Sequence, residues 1–277
     1  MGLDYGAIPP PPPPPPYLPA RQSSNALIIA VAIVVAVAVV VGVGAVAVVV
    51  GRARTGTATH PVASATPSPS GPLQATSGAV VFSDDFHDAS SGWNTSTLPS
   101  GTSFAYRGGK YVVFAKGTLH HYAESPHAQP HRQLTASVTG TQAAGAPDGT
   151  GFGVTCRRGL GAQQVRYQFL VLTGGQFFIE GGMGPDSGTT APAILKQGSS
   201  PVSPGATPLT VAGACMSEHD GKTTRLVLFV NGTSVADVTD VQDLAANGWL
   251  GGIDVASRDP NPSTVTVTRY EERNPER

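Results

Sequence analysis

Charged side chains are scarce in this chain: 13% of its residues are Asp, Glu, Lys or Arg, against roughly 25% in an average soluble protein. The 17 basic and 18 acidic residues nearly cancel and leave a formal net charge of −1. The chain therefore lacks the excess of positive charge that neutralises nucleic-acid phosphates. We expect no nucleic-acid partner.

Motifs that carry catalysis are also lacking. The sequence contains no G-x-S-x-G element, no P-loop and no dinucleotide-binding fingerprint. The stretch GTGFG at residues 149–153 resembles a glycine-rich phosphate loop, but it runs into a strand-like segment instead of a helix. We therefore predict no catalytic residue and no cofactor.

Composition divides the chain into four parts. Residues 1–25 contain eight consecutive prolines, which favour an extended polyproline II conformation without a fold. We interpret this tail as a low-complexity spacer, and the alternative is that it docks into an aromatic groove of a cytoplasmic partner. Residues 51–77 are rich in Ser, Thr, Ala and Pro and have too little apolar surface to fold, which predicts a disordered linker. Residues 78–277 can bury a core.

The remaining part, residues 26–50, has no charged side chain. As a helix it would be about 37 Å long, enough to cross a hydrocarbon core of roughly 30 Å. It is longer than the apolar part of a signal peptide and starts farther from the N-terminus. We predict one uncleaved transmembrane helix.

The orientation of this helix rests on conflicting signals. Arg52 and Arg54 directly follow the apolar segment and favour a cytoplasmic C-terminus by the positive-inside rule. Long domains, however, translocate largely regardless of flanking charge, and a linker followed by a domain with two cysteines is typical of an exposed location. We predict a single-pass protein of the cell membrane whose C-terminal domain is extracellular.

Alternation of apolar and polar residues recurs through residues 78–277. The stretch VRYQFLVL, residues 165–172, places Val165, Tyr167, Phe169 and Val171 on one face of a strand. Gly174–Gly175 and Asn231–Gly232 each lie between two β-rich runs and predict hairpin turns. The pattern predicts an all-β antiparallel sandwich.

Four stretches in this part also carry a family resemblance: VVFSDDFHDASSGW, YRGGKYVVFAKG, GTGFGVTCRRG and RLVLFVNGTSVADVTD. In order and spacing they resemble the concanavalin A-like jelly-roll domains of bacterial surface proteins. These include the extracellular sensor-like domains of some actinobacterial serine/threonine kinases. The resemblance covers roughly residues 80–270 and implies a jelly-roll fold. It does not imply one function, because lectins, glycosidases and interaction modules share that fold.

Cys156 and Cys215 are the two cysteines of the chain. Each lies at the end of a strand-like run, and in a surface domain two cysteines pair by default. We predict a disulfide bond between them. The alternative is a reactive thiol or a metal-binding pair, which the lack of a nearby histidine disfavours.

Four of the seven histidines lie within residues 119–131: His120, His121, His127 and His131. His120 and His121 are adjacent, so on a strand they point to opposite faces and cannot share a metal ion. Glu124 could complete a site, but no helical HExxH spacing would hold one. We predict no metal site and interpret the cluster as a solvated histidine-rich loop.

Glycosidases that resemble this domain carry their catalytic carboxylates on one strand in an E-x-D-x-x-E pattern, which this sequence lacks. Asp237, Asp240 and Asp243 follow a hairpin and are expected in a turn-rich region. Glu180 is the single acid of its strand, so an acid pair would have to come from separate strands. Asp84–Asp85 is expected to cap a turn, with weak Ca²⁺ binding as the alternative.

Aromatic platforms for sugar binding are few. Trp93 is expected in the core by the resemblance, whereas Trp249 precedes a strand and is expected to be exposed. The leading functional hypothesis is therefore a non-catalytic surface protein whose jelly roll binds an unidentified ligand, such as a cell-wall or extracellular glycan. The alternatives are an extracellular glycan-processing hydrolase and a scaffold that acts through the proline-rich tail.

Overall fold

A computed structural model describes residues 73–118, 120–158, 164–183, 192–218, 222–241, 248–257 and 261–275. These residues form fourteen strands and no helix. The strands are β1 (Ala79–Asp84), β2 (Ser103–Tyr106), β3 (Tyr111–Ala115), β4 (His120–Glu124), β5 (Gln133–Gln142), β6 (Thr150–Arg158), β7 (Val165–Leu172), β8 (Gln176–Met183), β9 (Ala193–Ser199), β10 (Leu209–Ser217), β11 (Thr223–Val230), β12 (Thr233–Val241), β13 (Leu250–Ser257) and β14 (Ser263–Asn274).

The strands pair in two antiparallel sheets. The eight-stranded sheet has the order β12-β11-β10-β5-β14-β3-β2, with β1 also paired to β14. The six-stranded sheet has the order β4-β13-β6-β7-β8-β9. The chain crosses repeatedly from one sheet to the other, as it does in a jelly roll. The antiparallel sandwich predicted from the sequence is confirmed.

The core lies between the two sheets. The inward residues of β7 that the alternation predicted, Val165, Tyr167, Phe169 and Val171, all belong to it and have no exposed surface. Trp93 is also in the core, with 3% of its surface exposed. The expectation that Trp249 is exposed is wrong, since only 1% of its surface is accessible. Its ring packs on Tyr167, and its Nε1–H donates a hydrogen bond to Ser217.

Cys156 and Cys215 form the predicted disulfide bond. Cys156 lies on β6 and Cys215 on β10, so the bond joins the two sheets, and neither residue has exposed surface. Their Cα atoms are 6.5 Å apart, within the usual range for disulfides. The bond is therefore a structural link through the core.

Both predicted hairpin turns are present. Asn231 and Gly232 have φ angles of 48° and 81°, the left-handed conformation that a two-residue hairpin of this type requires. Gly174 and Gly175 likewise have positive φ angles and connect β7 to β8.

The acidic residues differ in part from expectation. Asp237 and Asp240 lie within β12 and not in a turn-rich region, because β12 continues along β11 as far as Val241. Asp243 lies outside the described residues. Asp84 and Asp85 cap a turn as predicted: their carboxylates accept hydrogen bonds from the backbone N–H groups of Phe86 and His87.

The predicted transmembrane helix (26–50), the proline-rich tail and most of the linker lie outside the described residues. Across the residues that are described, the chain has no helix of the length and apolarity needed to span a membrane. The last residues assigned to the linker are described. Leu73 and Ala75 pack on an apolar cluster of β10 and β11 that includes Met216 and Phe229.

Candidate functional site

Polar side chains gather on the face of the six-stranded sheet that points away from the other sheet, here called the outer face. The inward residues of these strands fill the core, so the residues that alternate with them point outwards. On β4 the outward residues are His120, Tyr122 and Glu124, and on β7 they include Arg166 and Gln168. Strand pairing sets them beside outward residues of β13, β6 and β8.

Three charged groups meet at the centre of this face. His120 Nδ1 lies 3.2 Å from Asp254 Oδ2, and His120 Nε2 lies 3.2 Å from Glu180 Oε2. The two carboxylates are almost fully buried, with side-chain exposures of 0% for Asp254 and 2% for Glu180. Asp254 Oδ1 has no hydrogen-bond partner within the described part of the chain. We call this group the histidine–carboxylate triad.

The triad requires a strongly curved sheet. His120 is on β4 and Glu180 on β8, four strand positions apart, which would be about 19 Å in a flat sheet. Two glycines of β6 lie on the outer face between them: a Cβ added to Gly153 would be 1.7 Å from the carbonyl oxygen of Phe169, and one added to Gly151 would be 2.1 Å from that of Val171. Gly151 and Gly153 of the GTGFG stretch therefore leave this part of the outer face of β6 without side chains, which we call the floor of the site. His120 and Glu180 meet above this floor.

The charge of the triad is set by its surroundings. Burial lowers the pKa of His120, but the charges of Asp254 and Glu180 and their hydrogen bonds to the ring outweigh this effect. They raise the pKa of His120 from 6.5 to about 10. The imidazole is therefore protonated at neutral pH and bridges two carboxylates.

Tyr122 connects the triad to the neighbouring cations. Its ring is nearly parallel to the ring of His120, with centroids 6.1 Å apart. The Arg166 guanidinium carbon lies 4.0 Å from the centre of the Tyr122 ring, a cation–π contact. Gln168 Nε2–H donates a hydrogen bond to the Tyr122 hydroxyl. Burial, followed by the charge of Asp254, raises the pKa of Tyr122, so its phenol stays neutral.

Glu124, at the end of β4, lies beside two arginines. Its Oε2 atom is 2.7 Å from Arg157 Nη2, and its Oε1 atom is 3.6 Å from Arg166 Nη2. Glu124 is the most open of the three, with 44% of its side chain exposed, against 18% for Arg157 and 13% for Arg166. Next to the buried triad, the outer face therefore has a polar margin of two largely buried arginines and one half-exposed glutamate.

The other histidines do not form the solvated loop that the sequence suggested. His121 is buried beneath Thr102 on the face opposite to His120, as the adjacency of the two residues predicts. Burial lowers its pKa, more than the charge of Asp254 raises it. His127 Nδ1 lies 2.9 Å from the buried Glu272, and its ring stacks on Phe82. His131 is 8% exposed, with its ring stacked on His127.

The interpretation of a solvated loop is wrong because these side chains are largely buried and pack against other residues. Among the described residues, no three His, Cys, Asp or Glu side chains are placed to hold one metal ion. The two nitrogens of His120 point to different carboxylates, which therefore do not converge on a single point.

The sequence singled out His120, Glu124 and Glu180 separately and missed Asp254. One signal was available: the stretch LGGIDVAS places a single acid on an otherwise apolar strand. A lone charge in such a run is rarely buried without a partner. That His120 is the partner of Asp254 could not be predicted, because the two residues are 134 positions apart in the chain.

Comparison with known proteins finds similar structures but no related family and no similar curated sequence. Solved structures that are similar include an endo-β-galactosidase from Clostridium perfringens, with 11% identity and a TM-score of 0.46, covering 74% of this chain and 64% of that enzyme. An endo-1,3-β-glucanase from Streptomyces sioyaensis has 12% identity and a TM-score of 0.48, covering 75% and 98%.

A third similar structure is the carbohydrate recognition domain of Emp46p, with 8% identity and a TM-score of 0.44, covering 65% of this chain and 87% of that one. At these identities and TM-scores the similarity carries no conclusion about ligand or reaction. The all-β sandwich is established by its own strand pairing.

Proposed function

We propose that this chain is a membrane-anchored surface protein whose β-sandwich binds a saccharide on the outer face of the six-stranded sheet, without catalysis. The observation that carries the proposal is the buried triad of His120, Asp254 and Glu180 beneath a half-exposed polar margin. Removing three charges from water costs stability, and such groups are concentrated at functional sites.

The margin supplies the hydrogen-bonding groups that a polyhydroxylated ligand needs. Arg157 and Arg166 each carry a planar guanidinium group with several donors. Both tryptophans are buried, and the large hydrophobic residues exposed in the described segments are aliphatic. Recognition would therefore depend on hydrogen bonds and charge more than on stacking against an aromatic platform. The choice of a saccharide follows the concanavalin A-like resemblance of the sequence.

Two features support a binding role over a catalytic one. A general acid or base works best when its pKa lies near the working pH, and the pKa of His120 is about 10. In addition, each carboxylate of the triad is held against one nitrogen of the same imidazolium. An imidazolium in this position stabilises two buried anions and is a poor proton donor at neutral pH.

A glycan-processing hydrolase is the second candidate. It is favoured by one observation: two acids from separate strands, Asp254 and Glu180, do meet on one face. Paired carboxylates are the usual apparatus of glycoside hydrolysis. A hydrolase would have to release one of them from His120 when the substrate binds.

The experiment is a glycan screen of the purified full-length chain in non-ionic detergent, followed by hydrogen–deuterium exchange with each ligand found. We expect protection of amides in β4, β6 and β7 and no increase in reducing ends on long incubation. Protection confined to β10–β12 would show that the outer face of the six-stranded sheet is not the site. Binding of no saccharide would refute the proposal, and new reducing ends would favour the hydrolase.

A further inference from the structure

Two arginines face each other across neighbouring strands of the outer face. Arg157 on β6 and Arg166 on β7 are direct partners in the strand register. Like charges directly opposite in a sheet repel and destabilise the pairing. Both side chains are largely buried, with 18% and 13% exposed, so solvent screens this repulsion only in part. This arginine pair needs an anion.

Glu124 supplies the anion in this structure, and its carboxylate lies between the two guanidinium groups. The Glu124 carboxylate contacts both guanidinium groups, at 2.7 Å from Arg157 Nη2 and 3.6 Å from Arg166 Nη2. Glu124 is also the last residue of β4 and is 44% exposed. An ion pair with so open a partner contributes little to stability and is easily exchanged.

The arginines are held more firmly than the glutamate. The Arg166 guanidinium carbon lies 4.0 Å from the centre of the Tyr122 ring, and that ring itself contacts His120 and Gln168. The Nε–H of Arg157 is buried and has no hydrogen-bond partner among the described residues. The two arginines are therefore held in place, and the Arg157 Nε–H remains as an additional hydrogen-bond donor. Glu124, with 44% of its side chain exposed, can rotate into solvent.

We propose that the arginine pair binds the carboxylate of an acidic saccharide, such as a uronate, which replaces the carboxylate of Glu124. The guanidinium fork matches a planar carboxylate in two parallel hydrogen bonds, and Glu124 marks the position that such a group takes. The inference rests on the proposed function, since it assigns a ligand class to the same face. Glu124 acts as an internal competitor that ligand binding displaces.

The test compares two probes with the same sugar backbone: an oligomer of galacturonate, which is anionic, and its methyl ester, which is neutral. Binding to the full-length chain is measured by calorimetry at low salt. We expect the acid to bind about tenfold more tightly than the ester. The preference should shrink as salt is raised, because salt screens the charge of the free acid in solution and, in part, that of the arginines.

The decisive variant is Glu124→Gln, which removes the competitor and keeps the side-chain shape. We expect it to tighten binding of the acid by about fivefold and to leave the ester unchanged. Arg166→Gln should weaken binding of the acid by about tenfold. The matched control is Asp237→Asn, which breaks the ion pair with Arg225 on the other sheet, has a similar exposure of 45%, and changes the net charge equally. It should alter neither affinity.

A structural role of Glu124 predicts the opposite sign, because its loss would leave two arginines facing each other. Weaker or unchanged binding of the acid by Glu124→Gln therefore overturns the inference. So does equal affinity of the wild-type chain for acid and ester, a result that needs no variant to fold. If oligoglutamate binds as tightly as the galacturonate oligomer, the site recognises acidic peptides and the assignment to a saccharide is wrong.

The two proposals fail differently in this experiment. If both probes bind with equal affinity and protect β4, β6 and β7, the binding face stands and the acidic ligand class is wrong. If no saccharide of either charge binds, the proposed function fails and this inference fails with it.

Discussion

The carboxylate of Asp254 has no exposed surface and lies 3.2 Å from His120 on the neighbouring strand. A buried carboxylate needs a nearby positive charge to stay ionised. His120 forms ion pairs with both Asp254 and Glu180. The histidine is thus the element on which the polar centre of the outer face depends.

Replacing His120 with Gln should lower the free energy of unfolding by about 3 kcal/mol, since it removes the imidazolium that lies between two buried carboxylates. Urea denaturation at neutral pH measures this loss. The matched control is His87→Gln: the pair of His87 with Asp85 is open, with exposures of 78% and 72%. An exposed pair contributes little, so the control should change stability by less than about 0.5 kcal/mol. Equal losses in the two variants would contradict the role of the triad.

Stability should also fall as the pH rises above neutral. The pKa of His120 is raised from 6.5 to about 10 on folding, so the folded state holds this proton more tightly than the unfolded state. The stabilisation is complete below pH 6.5 and is lost as the pH approaches the folded value of about 10. Denaturation curves across this window should show a slope for the wild-type chain that His120→Gln reduces. The tyrosines whose pKa is raised, such as Tyr122, stay protonated there. If the free energy of unfolding changes with pH equally in the wild-type chain and in His120→Gln, the raised pKa of His120 is not the cause.

A methyl group at Gly153 should disrupt the curved sheet. The added Cβ would meet the backbone carbonyl oxygen of Phe169 at 1.7 Å, and backbone cannot move aside as a flexible side chain can. We expect Gly153→Ala to destabilise the domain by about 3 kcal/mol. Gly205→Ala is the control, because nothing lies within 4 Å of its Cβ position. Thermal unfolding of the two variants compares them directly, and similar melting temperatures would count against the proposed floor of the site.

Loss of the disulfide should cost more stability than any single ion pair at the surface. Cys156 and Cys215 are separated by 59 residues, and closing a loop of that length stabilises the fold by about 4 kcal/mol in the chain-entropy picture. We expect the double variant Cys156→Ala, Cys215→Ala to lose about this amount in denaturant titration. Reduced wild-type chain should unfold at a similar denaturant concentration. A loss below about 1 kcal/mol would mean that the bond constrains the unfolded chain very little.

The extracellular orientation can be tested with introduced cysteines. The native pair is buried and bonded, so a membrane-impermeant maleimide should not label it. Val202→Cys places a thiol at a residue that is 39% exposed, and we expect it to be labelled on intact cells. Ala7→Cys in the proline-rich tail should be labelled only after lysis. The reverse pattern would place the domain in the cytoplasm and remove the basis for a surface receptor.

Much of the architecture could be predicted from local sequence. The first half of β7, Val165 to Gln168, alternates between apolar and polar residues, so its inward residues were identifiable. Asn231–Gly232 fits a two-residue hairpin because both residues tolerate positive φ. The pairing of Cys156 with Cys215 followed from their number and expected compartment. Local sequence failed for Trp249, since a position just before a strand does not reveal that Arg158 and Tyr167 cover the ring.

The candidate site could not be predicted in the same way. His120, Glu180 and Asp254 lie on three strands, and only the order β4-β13-β6-β7-β8 brings them together. The sequence determined the strands, their turns and the glycines that permit close approach, because those depend on a few neighbouring residues. The tertiary structure decided which charges meet, because sheet order and curvature arise from packing of the whole core and not from any one segment.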